Sequence, residues 1–374
     1  MIIVHIVEPF AAGVALFVRS LTDAMPDDSH IIVHGERKKE ITAEEVKKIF
    51  SNKNTRFIKW RSAQRSLAPV KDFLAFTELF KILKKLKAKN LVDVVHLHSS
   101  KSGLLGRIAC RMNGIENVFY TPNGASFLSA RYGITKYFYQ QIEKFGDRIG
   151  GTIICCSASE LKEYQKLGIN AGFINNGTTI KAQRKFIKDP ADKKFRIVTS
   201  GRIENQKNPS LFNSIAKYFE DMEQFEFIWI GDGGDKKLLT SKNIVVTGWL
   251  NTDVVHEYVS AAHIYMSTSK YEGLSFAVLE ALALGKPVLL TNCTGNTDIV
   301  KRSLNGDLFK SKEDAIVKIL QYQNNPQMLE VMGDFSAEIC KTEFDVNENF
   351  KQYRKLYEGS GVRPGHNTKW VFTQ

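Results

Sequence analysis

Residues 265–295 read YMSTSKYEGLSFAVLEALALGKPVLLTNCTG. The apolar run at 263–266 predicts a strand, the Ser/Tyr/Glu/Gly stretch after it a loop, and the residues from about 276 to 284 a helix. Gly285 and Pro287 stop that helix and release the chain into a second apolar strand at 288–290. Both strands are as uniformly apolar as the buried strands of a parallel sheet. Glu272 lies in the loop and Glu280 eight residues on, about one turn into the helix, so both carboxylates can face one ligand. The first amides of that helix, around residues 274–277, have no intrahelical partner and sit at the positive end of the dipole, which favours a phosphate. An amphipathic helix with a solvated glutamate near each end is the plainer account of the pair taken alone.

The same alternation extends outward in both directions. Towards the N-terminus, apolar runs at 2–7, 30–34, 56–59, 92–97, 117–121 and 152–155 predict strands. Helical spacing falls between them near 14–25, 68–89, 103–112, 133–148 and 158–167. Around 176–192 (NGTTIKAQRKFIKDPAD) charge replaces apolar periodicity, which predicts a crossing between domains. A second series follows, with strands at 195–199, 225–230, 244–247, 263–266 and 288–290. This is an α/β chain of two Rossmann-like, doubly wound domains, 1–178 and 179–345, facing a central cleft. Helices are expected at 312–323, 326–341 and 346–358, the last packing back on the N-terminal domain. The tail 359–374, with Trp370 and Phe372, lacks a regular pattern.

With 374 residues the chain is long enough for two cores. Its five cysteines show no Cys-x-x-Cys or Cys/His ligand spacing, which argues against a disulfide framework or zinc site and for a reducing cytosol. The start MIIVHIVEPF goes directly into a strand, so no signal peptide is expected, and no stretch reaches bilayer-spanning length. Of the net charge of +12, most belongs to residues 1–178, which hold 26 Lys and Arg against 16 Asp and Glu. That excess suits an anionic membrane, an acidic substrate or a nucleic acid.

Several loops at strand ends carry possible chemistry. GRIENQKNPSLF presents Gly201, Arg202, Gln206 and Lys207, a cation pair suited to a diphosphate leaving group. GDGGDKKLL offers Gly231 and Gly233 where backbone must pass closely, and Gly248 lies in a similar turn before Trp249. In EPFAAGVALFVRSL, Gly13 joins the first strand to its helix. HLHSSKSGLLGR sets His96, His98, Ser100 and Lys101 at a strand end. His96 reads as a core residue and His98 to Lys101 as ligand-facing. FYTPNGASF carries Asn123, whose amide can hydrogen-bond a hydroxyl group. The segment 72–89 has Phe73, Phe76, Leu79, Phe80, Leu83 and Leu86 towards one side and Lys81, Lys84, Lys85, Lys87 and Lys89 late in it. A core-packed helix with a solvated face accounts for it, and with Arg61, Arg65 and Lys71 it also suits an anionic leaflet.

In succession, the glycine loop, HLHSSK, TPNG, GRIENQK, GDG and the Glu272-x7-Glu280 motif resemble the retaining family 4 (group 1) glycosyltransferases of the GT-B fold. The likeness is to those of bacterial capsule, lipopolysaccharide and exopolysaccharide assembly. The resemblance implies a nucleotide-diphosphate sugar, most commonly a UDP-sugar, as donor and a glycan or polyprenyl-linked acceptor. Glu272 would orient the donor sugar while Arg202 and Lys207 take the diphosphate with the amides of Ser275, Phe276 and Ala277. Glu280 would hold the ribose, and Gly13, Gly201, Gly231, Gly233 and Gly248 would line the nucleotide. The acceptor side would carry His98, Ser100, Lys101 and Asn123. Relatives have a longer glycine run where Ala11 and Ala12 stand, and a His where Asn123 stands; Asn cannot titrate. No Asp-x-Asp metal motif occurs, so neither cofactor nor metal is expected, and the cation pair can supply a metal's electrostatics. The expected location is cytoplasmic, peripheral on the inner membrane. A nucleotide-sugar epimerase of the same fold is the alternative enzyme. A basic nucleic-acid-binding protein is the alternative of another class, but no nucleic-acid motif accompanies the charge and none is expected as partner. The absence of GxGxxG after a strand argues against a nicotinamide dehydrogenase.

Overall fold

A computed structural model describes residues 1–36, 42–64, 68–129, 133–179 and 194–359. Most of the expected crossing at 176–192, Arg65, and the tail beyond 359 with Trp370 and Phe372 lie outside the described residues. The chain divides into two compact units, Met1–Asn176 with the chain from Val346, and Gly177–Asp345.

The first unit is a parallel sheet of β1 (Ile2–Val7), β2 (Ser29–His34), β3 (Thr55–Lys59), β4 (Val94–His98), β5 (Val118–Thr121), β6 (Thr152–Cys155) and β7 (Ala171–Phe173). Their order is β3-β2-β1-β4-β5-β6-β7, so chain direction across the sheet reverses between β1 and β4, the switch point at which such folds bind ligands. Helices Pro69–Ala88 and Ser100–Met112 cover one face, where Val95 and Leu97 meet Ala75, Leu79 and Leu83. Gly103 and Gly106 let the second helix lie close, because a Cβ on either would meet the Tyr120 ring or Leu97 at 2.4 Å.

The other face is unusually polar. His5 is opposite His96 in register, and His30, His96 and His98 share its side of the sheet. All four are completely buried; Phe17 of helix Ala12–Ala24 packs on His96 and His98, Tyr353 and Tyr357 of helix Val346–Glu358 on His96, and Phe350 on Phe17.

The second unit is a parallel sheet of β8 (Phe195–Ser200), β9 (Phe225–Ile230), β10 (Ile244–Val246), β11 (Ile264–Ser267), β12 (Val288–Thr291) and β13 (Gly306–Phe309), ordered β10-β9-β8-β11-β12-β13. Its switch point lies between β8 and β11. Phe212, Phe219, Phe227 and Trp229 build its core from the side of helix Pro209–Tyr218. Two strands are additions to the sequence reading. β7 (AGF) and β13 (GDLF) are three and four residues long and contain glycine, so neither carries an apolar run.

Candidate active site

In the second unit, the loop after β8 and the loop after β11 are laced together. The Lys270 amide donates to the Gln206 carbonyl (2.8 Å), Thr268 Oγ1 to the Lys207 carbonyl (2.7 Å), and Gln206 Nε2 to the Tyr271 carbonyl (3.1 Å). The lacing brings Lys207 Nζ to 2.8 Å from Glu272 Oε1, with Gln206 Nε2 3.4 Å from the other carboxylate oxygen. Glu272 is 7% exposed. Burial alone would lower the Lys207 pKa, but Glu272, with Tyr265 and Cys293 beside it, outweighs that and holds the ammonium above its ordinary value. Arg202 stands in the same loop, its Nη1 3.7 Å from Glu204 Oε2.

Glycines make this arrangement possible. Gly201 adopts φ +129° and Gly231 φ +139°, and a Cβ on Gly231 would lie 2.2 Å from the Gly201 carbonyl oxygen. The loops after β8 and β9 thus pass in direct backbone contact, reinforced by Trp229 Nε1 donating to that carbonyl at 2.9 Å. A Cβ on Gly233 would similarly meet the Ile203 carbonyl at 2.3 Å. Gly248 (φ +74°) bridges to Gly231. Glu272 leads through buried Ser275, at the N-cap, into helix Phe276–Ala283. Phe276 and Ala277 occupy its first two positions, where amides point out of the helix. Glu280 follows on the same helix, partly buried.

In the first unit, Gly13 is exposed at the second position of helix Ala12–Ala24, at the carboxyl end of β1. Ser100 and Lys101 open helix Ser100–Met112 at the end of β4, with Lys101 Nζ 2.6 Å from Asp72. Asn123 (φ +55°) follows β5, donating to the Thr121 carbonyl at 3.3 Å and accepting from the Cys156 thiol at 3.6 Å. Asn tolerates that left-handed conformation better than most residues.

The expectation of a ligand-facing His98 is corrected: it is enclosed in the polar sheet face. His30 Nε2 donates to the Met25 carbonyl (3.0 Å), which leaves Nδ1 as acceptor for His5 Nε2 (3.1 Å). His5 Nδ1 then accepts from His98 Nε2 (3.2 Å). One carbonyl therefore sets three tautomers. His96 bridges Tyr357 (2.6 Å) and Thr121 (2.8 Å). Burial depresses all four imidazole pKa values, that of His96 to about 3. His5, His96 and His98 offer ring nitrogens within 4.8 Å of one another, a metal-like grouping that the sequence spacing did not disclose. Hydrogen bonds engage both nitrogens of His5 and of His96, whereas His98 Nδ1 is buried without a hydrogen-bond partner.

A model described as glycosyl transferases group 1 matches residues 181–338, and one described as glycosyltransferase family 4 matches residues 11–180. The chain belongs to the group 1, family 4 glycosyltransferases. This glycosyltransferase is 28% identical over 320 residues to the UDP-Gal:α-D-GlcNAc-diphosphoundecaprenol α-1,3-galactosyltransferase of Escherichia coli, an alignment covering 78% of this chain and 81% of that one. Sucrose-phosphate synthase from Thermosynechococcus elongatus superimposes with a TM-score of 0.78 at 17% identity, covering 95% of this chain and 98% of its own. Anabaena HepE, solved with UDP and glucose, gives a TM-score of 0.73 at 15% identity, covering 96% and 100%. The fold is GT-B, two Rossmann-like α/β domains.

In the glycosyltransferase, Gly201, Arg202, Lys207, Gly231, Gly233, Gly248 and Glu272 meet in one cluster of loops in the second unit, with Ser275, Phe276, Ala277 and Glu280 continuing from it. Gly13, Ser100, Lys101 and Asn123 lie at the carboxyl edge of the first unit's sheet. Two contributors escaped the sequence reading. The Thr294 carbonyl accepts from the Glu272 amide at 3.0 Å, and a Cβ on Gly295 (φ +85°) would meet Glu272 Cβ at 2.8 Å. The loop after β12 (Val288–Thr291) therefore backs the carboxylate, and Gly295 in the loop after an apolar strand was its only signal. Glu160 is fully buried and accepts from the amides of Gly124 (3.0 Å), Ala125 (2.9 Å) and Cys156 (2.8 Å), fixing the loop that carries Asn123.

Proposed function

We propose that this glycosyltransferase acts in bacterial polysaccharide or glycolipid synthesis, moving a sugar from a nucleotide-diphosphate sugar, UDP in the first instance, to a lipid-linked glycan acceptor with retention of configuration. The observation carrying the reading is the Lys207–Glu272 pair beside a helix N-terminus at the β8/β11 switch point. An arriving diphosphate competes with Glu272 for Lys207, joins Arg202 and the amides of Phe276 and Ala277, and frees the carboxylate for the hydroxyls of the donor sugar. Because these cations and dipoles are fixed before the bond breaks, they stabilise charge on the departing diphosphate without reorganising. Glu280 takes the ribose hydroxyls. The acceptor hydroxyl attacks on the face the diphosphate leaves, and a phosphate oxygen receives its proton. The undecaprenol-linked substrate named for the Escherichia coli relative supports a polyprenyl diphosphate acceptor, presented at the cytoplasmic face of the inner membrane.

Thermal shifts with UDP, GDP, ADP and their sugars test the donor site, since a ligand at a hundredfold excess over its Kd stabilises by about 2.7 kcal/mol. One nucleotide should stabilise the wild type, and Glu280→Ala should abolish most of that gain; equal shifts in both proteins overturn the assignment. Transfer should persist in EDTA, and its complete loss would overturn the metal-independent reading.

A further inference from the structure

Helix Ile134–Ile149 packs Tyr139 on the core but turns much of its apolar surface outward. Its buried residues are Glu143 and Gly146. Glu143 accepts from Arg107 (3.3 Å) and Tyr120 (3.0 Å), and a Cβ on Gly146 would lie 2.3 Å from the Arg107 guanidinium. The stripe at three- and four-residue spacing that points outward is instead Ile134, Tyr137, Phe138 and Phe145, all at least half exposed, Ile134 to 89%. The first two turns of helix Pro69–Ala88 likewise expose Val70, Phe73 and Leu74, although the sequence placed Phe73 on the packed side.

Both helices pack against Ser100–Met112 on the same sheet face. Each runs into a parallel strand, so each begins at the carboxyl edge of the sheet, the edge that also carries Ser100 and Asn123. All of these apolar residues except Phe145 sit in those starting turns. Exposed Lys71 lies among them, and exposed Lys81, Lys84, Lys85 and Arg148 follow in the later turns of the same helices. The nearby carboxylates of Asp72 and Glu78 are engaged, by Lys101 and by the Ser62 amide.

We propose that this edge, with the outer flanks of the two helices, is a docking surface for an anionic bilayer, with Val70, Phe73, Leu74, Ile134, Tyr137 and Phe138 entering the headgroup boundary and the lysines along the flank meeting lipid phosphates. Exposed apolar side chains continued along the same helices by exposed cations are what an interfacial site requires. A second copy of this chain fits poorly, because it would set lysines against lysines. The inference rests on the lipid-linked acceptor reading and deepens it, since it brings the acceptor-side loops to the leaflet holding the lipid.

The test is co-sedimentation of the full chain with phosphatidylcholine vesicles, with and without phosphatidylglycerol. Anionic vesicles should bind it and neutral ones should not. Phe73→Ser/Leu74→Ser and Tyr137→Ser/Phe138→Ser should each weaken binding roughly tenfold, and Lys84→Glu/Lys85→Glu likewise. Nucleotide-induced thermal shifts should be unchanged in all three, which reports folding and the donor site separately. Wild-type protein that stays in the supernatant, or variants that sediment like it, overturns the proposal. So does a wild-type dimer that the serine variants dissociate, which would make a second copy the occupant. A missing nucleotide shift with vesicle binding intact would sink the donor reading and leave the docking surface standing.

Discussion

Acid should loosen the first unit through His96. Its pKa falls from the ordinary 6.5 to about 3 through burial, so the folded ring refuses a proton that the unfolded chain accepts below pH 6.5. The contribution of this neutral ring is complete above pH 6.5 and is lost progressively as pH falls towards 3, at about 1.4 kcal/mol per pH unit. Between pH 7 and pH 5 the loss amounts to about 2 kcal/mol. His5 and His98 shift in the same direction and act in the same sense, while Asp28 and Asp23 oppose the shift at His30. Burial pushes Glu160 up to about 7, which adds stability on acidification over the same range. Comparing wild type with His96→Gln removes that common contribution. The assay is guanidinium unfolding at pH 7 and pH 5 followed by Trp60, buried in the first unit and donating to the Ala75 carbonyl at 2.9 Å, with the other tryptophans replaced by phenylalanine. The stability advantage of wild type over His96→Gln should shrink by about 2 kcal/mol at pH 5. A difference that is the same at both pH values refutes the neutral, core role of His96.

Three further outcomes are expected. Lys207→Met strands the buried Glu272 carboxylate, and should destabilise by about 3 kcal/mol in chemical unfolding and reduce turnover at least ~100-fold in a transfer assay. Glu143→Leu should destabilise by about 3 kcal/mol because it leaves Arg107 buried and unpaired, whereas Arg107→Met/Glu143→Leu should recover most of that loss in the same unfolding measurement. Ala12, exposed at φ +48°, occupies a conformation that costs a non-glycine residue about 1 kcal/mol, so Ala12→Gly should raise the melting temperature of the first unit.

The alternation of apolar runs with helical spacing was enough to read both sheets, because a parallel strand buried on both faces announces itself by composition. The Arg202, Lys207 and Glu272 positions were legible for a related reason: polar residues directly after such strands must emerge at the carboxyl edge. His98 was misread although period-two geometry contained the answer, since two residues apart on β4 means the same face as His96. Helix Ile134–Ile149 shows the opposite limit. Its periodicity was plain in the sequence, but periodicity cannot say which stripe turns inward when a buried Arg107 recruits Glu143. β7 and β13 were invisible because their pairing comes from neighbours already in place, with little apolar signal of their own.

The first unit is assembled from two stretches of chain separated by the whole of the second. A ribosome therefore releases β1 to β7 well before it makes the helix that covers their histidine face. Until Phe350, Tyr353 and Tyr357 emerge, Phe17 and His96 lack their aromatic cover, and the nascent unit must wait while the second one folds. A chain cut before Val346 would keep every strand of that sheet and still leave His96 and Phe17 uncovered, a ready substrate for chaperones and proteases.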